Sequence, residues 1–133
     1  MTTNIAIILA AILQVESGGN ANAVGSHGDV GVLQIRPCVV DDVNRIYDTN
    51  YKYSDRRDPV LSMEMAEKYL RFWASDLRVK KMLKREATDR DIVLCWNRGP
   101  RWFLVHYKNG PKKDRYWLKV RKQIAAIAAG QEK

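Results

Sequence analysis

The sequence predicts a mainly α-helical or α+β fold, in which helices surround a cleft and residues 19–36 form a small irregular or β lobe. Three observations support this fold class. Apolar residues recur at helical spacing in several segments, and helix-capping residues precede them. Five of the eight glycines fall between residues 18 and 36, which is typical of a loop or a small hairpin. A length of 133 residues with 46% apolar residues suits a single domain spanning residues 1–133.

The first two helices are predicted from the residues at their ends. One of the polar residues 2–4 can cap a first helix, whose apolar run extends from Ile5 to Val15. A glycine pair follows, so we expect this helix to end at about Gly18. Pro37 suits the first position of a second helix, because its missing N–H group would be unpaired there in any case. This second helix is expected to end at about Tyr47.

The Asp58–Pro59 pair is expected to begin the longest helix, which would continue to about Met82. The prediction rests on a mostly apolar stripe at helical spacing. The stripe consists of Leu61, Met65, Tyr69, Phe72 and Asp76.

Two more helices are predicted near the C-terminus. Thr88 and Asp91 have the spacing of a capping box, in which each side chain bonds to the backbone N–H group of the other residue. The helix that they begin is expected to end at Gly99–Pro100. A last helix should cover roughly residues 114–129.

The chain is basic, with 23 Lys and Arg residues against 15 Asp and Glu residues, and a net charge of +8. Such a surplus suits a polyanionic partner: nucleic acid, an acidic membrane surface or an anionic cell wall. The two cysteines, Cys38 and Cys95, lack metal-ligand spacing, and we expect both to be reduced, apolar core residues. No metal or cofactor is expected.

The apolar run near the N-terminus does not resemble a secretory signal, because no Lys or Arg precedes it and the first cationic residue is Arg36. No other segment approaches the length of a transmembrane helix. We therefore expect a protein that is made in the cytoplasm without a signal peptide.

Glu16 is the first candidate catalytic residue. It follows the apolar run and falls in the last turn of the first helix, where unpaired carbonyl groups carry about half a negative charge. A carboxyl group there, partly removed from water, should hold its proton more tightly than usual. A retained proton is what a general acid needs near neutral pH.

Two later stretches add candidate binding residues. In "GSHGDVGVLQI", residues 25–35, Gly28 and Gly31 permit positive φ angles and close approach of the backbone to a ligand. Gln34 carries an amide, which can donate to and accept from a sugar N-acetyl group. In "CWNRGP", residues 95–100, a helix ends with Asn97 before a Gly-Pro break.

With these motifs in order, the chain resembles the lysozyme-like lytic transglycosylases, those with the soluble lytic transglycosylase domain. The family pattern has a Glu-Ser pair with a nearby Asn, a glycine-rich segment ending in Gln-Ile, an Asn-x-Gly-Pro segment, and a late tyrosine. The matching positions are Glu16–Ser17 with Asn20, Gly28–Ile35, Cys95–Pro100 and Tyr116. The resemblance covers nearly the whole chain.

The resemblance implies a lysozyme-like fold and a non-hydrolytic cleavage of peptidoglycan between N-acetylmuramic acid and N-acetylglucosamine. Glu16 would protonate the glycosidic oxygen and then take the proton of the muramoyl 6-hydroxyl, so that 1,6-anhydromuramoyl ends form. The substrate-binding residues implied are Ser17, Ser26, Gly31, Gln34, Trp96, Asn97 and Tyr116.

Several positions depart from the family pattern, among them Val32–Leu33, which replaces Leu-Met as a mild change. Asp29 stands where the family has a small residue, and Gly25 stands where it has a serine. Trp96 replaces a tyrosine whose hydroxyl group steadies the glutamate, and its indole N–H group could donate to the same carboxylate. Arg98 adds a cation that could lower the pKa of Glu16 or bind a substrate carboxylate.

Two other functions remain open. The first is a hydrolytic lysozyme, or muramidase, which needs a second carboxylate; Asp29 is the candidate, because Asp41 and Asp42 should lie on the surface of the second helix. The second is a basic module without enzymatic activity that binds nucleic acid through "VKKMLKR", residues 79–85, and "KNGPKKDR", residues 108–115.

The expected partners are peptidoglycan glycan strands and the anionic cell wall. Nucleic acid is not expected as a partner, and the protein should be a monomer. A phage or prophage lysin would fit the basic charge and the absence of an export signal. Such an enzyme would reach the wall through a separately encoded, holin-type pore or as a component of the virion.

Overall fold

The computed structural model describes residues 3–101 and 114–131 and is mainly helical, which confirms the predicted fold class. Residues 108–113 of the second basic stretch, including Lys112 and Lys113, lie outside the described residues. The helices are α1 (Ile5–Glu16), α2 (Pro37–Tyr47), a 3-10 helix (Tyr53–Arg57), α3 (Pro59–Trp73), α4 (Asp76–Leu83), α5 (Asp89–Arg98) and α6 (Arg115–Gln131).

Helix α1 runs through the core and places Glu16 at its C-terminal end. The side chain of Asn4 caps the helix by accepting a hydrogen bond from the N–H group of Ala6 at 2.8 Å. The helix is apolar on nearly every side, as expected for a helix surrounded by others. Its fully buried residues are Ile8, Leu9, Ala11 and Ile12. It packs most extensively against α6, so the two ends of the chain form one core.

The predicted ends of two helices, α2 and α5, are confirmed. Helix α2 runs from Pro37 to Tyr47, and α5 begins with the predicted capping box of Thr88 and Asp91. Gly99 ends α5 with a φ of 90°, which suits a residue without a side chain.

The predicted helix from Asp58 to about Met82 was wrong in its second half. The chain leaves the helix at Ala74, and α4 begins at Asp76 after Ser75. The hydroxyl group of Ser75 accepts a hydrogen bond from the N–H group of Arg78 at 3.2 Å, which favours a new helix start over continuation. Asp76 is exposed and is not part of a buried stripe. With 15 residues, α3 is also shorter than α6, which has 17.

Residues 17–36 form the small lobe, which is irregular apart from isolated antiparallel bridges from Val30 to Val24 and to Ile35. The buried Arg56 of the 3-10 helix holds this lobe in place. Its Nη1 donates to the carbonyl oxygens of Gly28 and Ile35, each at 2.9 Å. Because these bonds join the lobe to the helical part of the chain, they define one wall of the cleft.

The two cysteines differ in environment. Cys95 is buried, and burial raises the pKa of its thiol to about 12, so it stays protonated. Cys38 is exposed near the start of α2, so the prediction that it is a core residue was wrong. Both are free thiols. The helical periodicity of α2 explains the difference, since Val40 and Val43 face the core and Cys38 does not.

Among the helices in residues 3–101 and 114–131, none combines the length and the apolar character that crossing a lipid bilayer requires.

Candidate active site

A cleft lies where the end of α1, the small lobe, the start of α2, the middle of α3 and the end of α5 meet. It contains Glu16 and five other candidate site residues singled out in the sequence, together with residues that the sequence did not indicate. Among the described residues, its lining consists of Glu16, Asp29, Gln34, Ile35, Arg36, Cys38, Val39, Tyr69, Trp96, Asn97, Arg98 and Gly99.

Glu16 is the last residue of α1 and is half-buried at the cleft. Removal of its carboxyl group from water raises its pKa, and this is the largest of the effects upon it. The negative charge of Asp29 raises the pKa further, whereas hydrogen bonds from Tyr116 and Trp96 and the positive charge of Arg36 lower it. The net result is a pKa above the ordinary value of 4.5, as the position of Glu16 at a helix end predicted.

Two aromatic side chains donate hydrogen bonds to the Glu16 carboxyl group. The hydroxyl group of Tyr116, on α6, donates to Oε2 at 3.1 Å. Trp96, at the end of α5, is the second donor through its indole N–H group. Burial and the charge of Glu16 raise the pKa of Tyr116, so its hydroxyl group keeps its proton and remains a donor. Both donors favour the ionised form of Glu16 and hold its carboxyl group in a defined position.

Asp29 and Arg36 place opposite charges in the same cleft. Asp29 accepts a hydrogen bond from the backbone N–H group of His27 at 3.1 Å, so its carboxylate bonds to the backbone nearby, as expected for a turn residue. Arg36 precedes α2 and is exposed, with no side-chain capping bond. The sequence did not indicate Arg36, because a lone arginine before a helix carries no motif.

Arg98 is not among the groups that shift the pKa of Glu16, and the alternative, that it binds a substrate carboxylate, stays a prediction. Its Nη2 instead pairs with Oδ2 of Asp114 at 2.9 Å. Burial acts to raise the pKa of Asp114, but bonds from the Trp117 N–H group and from Arg98 outweigh it, and the pKa lies below its ordinary value. Asp114 therefore stays ionised, and the pair ties the end of α5 to the start of α6 beside the cleft.

Gln34 lines the cleft, and the NH₂ group of its side-chain amide is already hydrogen-bonded to the protein backbone. Its Nε2 donates to the carbonyl oxygens of Ala23 at 3.1 Å and of Gly31 at 2.9 Å, which uses both hydrogens of the NH₂ group. The amide oxygen is what remains for a ligand. Gln34 can therefore accept a hydrogen bond from a sugar, but the expected donation from the same amide is excluded in this arrangement.

Four predicted binding residues lie outside the cleft lining: Tyr116, which reaches the site through its bond to Glu16, and Ser17, Ser26 and Gly31. The hydroxyl group of Ser17 donates to the carbonyl oxygen of Val32 at 2.7 Å and so joins the end of α1 to the lobe. Ser26 is exposed and contacts Nδ1 of His27 at 3.0 Å. Direct contact of these residues with substrate stays a prediction.

The structure requires glycine at position 31 for a different reason than the expected approach to a ligand. Its φ is +89°, and a Cβ atom there would lie 1.9 Å from the carbonyl oxygen of Arg56. Its N–H group already donates to the carbonyl oxygen of Ala23 at 2.9 Å. The close approach that requires glycine is therefore to the protein backbone, and the Gly31 N–H group is not free for a ligand.

Asn97 and Tyr69 complete the lining. Asn97 is exposed, and within the described part of the chain its side chain makes no hydrogen bond, so it does not cap α5. Tyr69 is buried on α3 and packs edge-on against Trp96, with ring centroids 5.9 Å apart. The sequence placed Tyr69 only in an apolar stripe, because a tyrosine at helical spacing has the same pattern whether it lines a cleft or fills a core.

Comparison with protein families places these residues in a known context. A family model described as "Transglycosylase SLT domain" matches residues 4–128. The match includes residues of all six α-helices named above and every residue of the cleft lining. A comparison with curated protein sequences found no match.

Proposed function

We propose, from the premise that this chain belongs to the transglycosylase SLT domain family, that Glu16 is the general acid and then the general base of its reaction. Members of this family are lytic transglycosylases that act on the glycosidic bonds of peptidoglycan, and this chain is one of them. The single observation that carries the role of Glu16 is its place at the cleft as a half-buried carboxyl group with a raised pKa.

In the first step, protonated Glu16 gives its proton to the oxygen that joins N-acetylmuramic acid to N-acetylglucosamine. The bond from this oxygen to the muramoyl C1 breaks, and N-acetylglucosamine leaves with the proton as a new hydroxyl group. Burial supports this role, because it keeps a larger fraction of Glu16 protonated near neutral pH than an exposed glutamate would retain.

In the second step, the Glu16 carboxylate takes the proton of the muramoyl 6-hydroxyl, whose oxygen bonds to C1 and closes a 1,6-anhydro ring. The proton lost in the first step is thereby restored. This internal nucleophile is favoured because it is held beside the reacting carbon and needs no second molecule to be bound. The hydrogen bonds from Tyr116 and Trp96 support the first step, because they stabilise the carboxylate that Glu16 becomes when it gives up its proton.

The cleft also offers acceptor and donor groups for the sugar. The amide oxygen of Gln34, which accepts no hydrogen bond from the described residues, is suited to the N–H group of an N-acetyl substituent. Asn97 can both donate and accept, and no described residue occupies its amide. We assign these two residues to substrate orientation, so that the N-acetyl group lies where it can stabilise the positive charge that develops at C1.

The test is the mass of the products released from purified peptidoglycan. We expect 1,6-anhydromuramoyl ends, which are lighter by one water than hydrolytic products. Glu16→Gln, purified in the same way, serves as the control for contaminating lytic enzymes. Products with predominantly reducing ends would contradict the proposed reaction, and wall lysis by Glu16→Gln within a few-fold of the wild type would contradict the role of Glu16.

Asp29 supports a second candidate, hydrolysis by a muramidase. It lines the same cleft as Glu16, and a second carboxylate is what hydrolysis requires in order to act as nucleophile or to activate water. Its bond to the His27 N–H group, however, already engages Oδ1 within its own turn. Reducing ends in the products, together with near-complete loss of activity in Asp29→Asn, would select hydrolysis.

A further inference from the structure

Gly25 differs from the other glycines of the small lobe. Gly28 and Gly31 have φ angles of +75° and +89°, which side chains disfavour, but Gly25 is not among the positive-φ residues. Its backbone conformation therefore does not call for glycine. A Cβ atom at Gly25 would instead lie 2.1 Å from Oδ2 and 2.4 Å from Cγ of Asp29, so a side chain at residue 25 would require the Asp29 carboxylate to move.

The carboxylate of Asp29 occupies the position that a side chain at residue 25 would need. One hydrogen bond fixes the backbone of Asp29 and a second holds its carboxylate. The N–H group of Gly25 donates to the carbonyl oxygen of Asp29 at 2.8 Å, and the N–H group of His27 donates to Oδ1 of Asp29 at 3.1 Å. The bridge between Val24 and Val30 closes the turn on both sides. The Asp29 carboxylate therefore packs against the Cα atom of Gly25 within this turn.

This fixed charge lies in the cleft that contains Glu16. The groups that act on Glu16 come from four places: Tyr116 on α6, Trp96 on α5, Arg36 before α2, and Asp29 in the lobe. Arg98, which also lines the cleft, is paired with Asp114. Of the four, Asp29 supplies the negative charge and works in the same direction as burial, against Arg36 and the two donors.

We propose that Gly25 and Asp29 form a coupled pair, in which the missing side chain of Gly25 leaves room for the Asp29 carboxylate to place a negative charge in the cleft that contains Glu16. In this proposal Asp29 is a positioning residue, which acts through Glu16. The proposal rests on the proposed role of Glu16 as general acid.

The experiment compares Asp29→Asn, Asp29→Ala, Gly25→Ala and the double variant Gly25→Ala/Asp29→Ala. The readouts are the pH profile of kcat/KM on short soluble glycan fragments and the thermal unfolding midpoint. Asp29→Asn keeps the size of the side chain. We expect the alkaline limb of its kcat/KM profile to move to lower pH by about half a unit, which lowers kcat/KM about threefold on the alkaline side. Activity at acidic pH should change less than about twofold.

Gly25→Ala should lower the unfolding midpoint and move the limb in the same direction, because the new Cβ atom displaces the carboxylate. In the Asp29→Ala background the same substitution should have almost no effect, since the atoms with which it collides are gone. If Gly25→Ala alone does not fold, recovery of folding in the double variant still tests the coupling. Arg36→Met removes a positive charge and is the control with the opposite expected effect. The alkaline limb of its pH profile should move to higher pH.

Equal effects of Gly25→Ala in both backgrounds would overturn the coupling. An unchanged limb in Asp29→Asn, with anhydro products and an inactive Glu16→Gln, would overturn the role of the Asp29 charge and leave the proposed function standing. Loss of activity in Asp29→Asn at every pH, with reducing-end products in the wild type, would overturn the proposed function instead.

Discussion

The hydroxyl group of Tyr116 donates a hydrogen bond to Oε2 of Glu16 at 3.1 Å, although the two residues are 100 positions apart in the chain. Glu16 ends α1 and Tyr116 lies in the first turn of α6, and these two helices pack along each other. The tyrosine predicted as a substrate contact thus contacts the proposed catalytic acid itself. With Trp96 in place of the tyrosine usual on α5 in the family, Tyr116 supplies the phenolic donor from another helix.

Tyr116→Phe should move the alkaline limb of the pH profile upward. The hydrogen bond stabilises ionised Glu16, so its loss raises a pKa that is already raised, and the acid keeps its proton to a higher pH. The first step should suffer, because the carboxylate that it forms loses a donor worth roughly 1.5 kcal/mol, or about tenfold in kcat. The measurement is kcat against pH on soluble glycan fragments.

Tyr53→Phe is the matched control for Tyr116→Phe. The hydroxyl group of Tyr53 also bonds to a carboxylate, that of Asp41 at 2.8 Å, but on the exposed surface of α2. Tyr53→Phe should leave the pH profile of kcat unchanged. A limb that stays in place or moves down in Tyr116→Phe would show that this bond does not tune Glu16.

Glu16→Gln should lower turnover at least about 100-fold, because the amide has no proton to give at accessible pH. The variant should also be slightly more stable near neutral pH. Since the folded-state pKa of Glu16 is raised, its contribution to stability is complete below 4.5 and is lost as pH rises through the folded-state value.

The gain in stability from Glu16→Gln should be about 0.5 kcal/mol at neutral pH, typical of removing an anion from a helix C-terminus. It should shrink below pH 4.5, where the wild-type carboxyl group is protonated in both the folded and the unfolded state. Urea unfolding at the two pH values checks this. A constant difference at both would show that the effect does not come from the Glu16 charge.

Gly31→Ala should destabilise the protein much more than Gly28→Ala. Both glycines have positive φ angles, so both substitutions cost about 1 kcal/mol in backbone strain. At Gly28 the nearest atom to a new Cβ is 3.9 Å away, but at Gly31 it is the Arg56 carbonyl oxygen at 1.9 Å. We expect an added cost of at least about 2 kcal/mol for Gly31→Ala. Similar unfolding midpoints for the two variants would refute the close approach to Arg56.

The exposed lysines of α4 are expected to help the enzyme bind the wall. Lys80 and Lys81 are exposed on the last turn of that helix, in a chain of net charge +8. Replacing both with Gln should weaken wall binding and reduce its decline as salt rises past about 0.1 M, where charges are screened beyond about 10 Å. Cleavage of short soluble fragments should stay within about twofold. Cosedimentation with purified walls at several salt concentrations measures the binding.

Arg45→Gln with Arg71→Gln is the control for the lysine pair. Both arginines are exposed but already pair with a neighbouring carboxylate, Asp42 and Glu67 respectively. The control removes the same formal charge and should affect wall binding less. An equal loss would mean that net charge matters and the location on α4 does not.

Local signals were sufficient to predict most helix ends. Asn4, Pro37 and the Thr88–Asp91 capping box each act within one turn of the helix that they begin, so their effect can be predicted from neighbouring residues alone. The break at Ser75 was missed for a related reason. The apolar stripe of α3 was extended across it, although a serine followed by an aspartate is itself a helix-start signal.

Motif order predicted part of the cleft. Glu16, Gln34, Trp96 and Asn97 are site residues that the motifs indicate, and all four line it. No motif indicated Arg36 or Tyr69, and the motif residues Ser17, Ser26 and Gly31 lie outside the lining. Motifs mark positions whose backbone and side chains serve the fold as well as the substrate. A motif alone does not distinguish a glycine that packs against the protein backbone, as Gly31 does against Arg56, from a glycine that packs against a ligand.

The sequence by itself determined which acid we propose for the site, since Glu16 ends an apolar helix and stands in the right order with the other motifs. Only the tertiary structure decided how strongly Glu16 holds its proton. That property depends on burial and on Asp29, Arg36, Trp96 and Tyr116, which come from four separate segments of the chain. Electrostatic and hydrogen-bond energies depend on distance in space, and distance along the chain does not determine it.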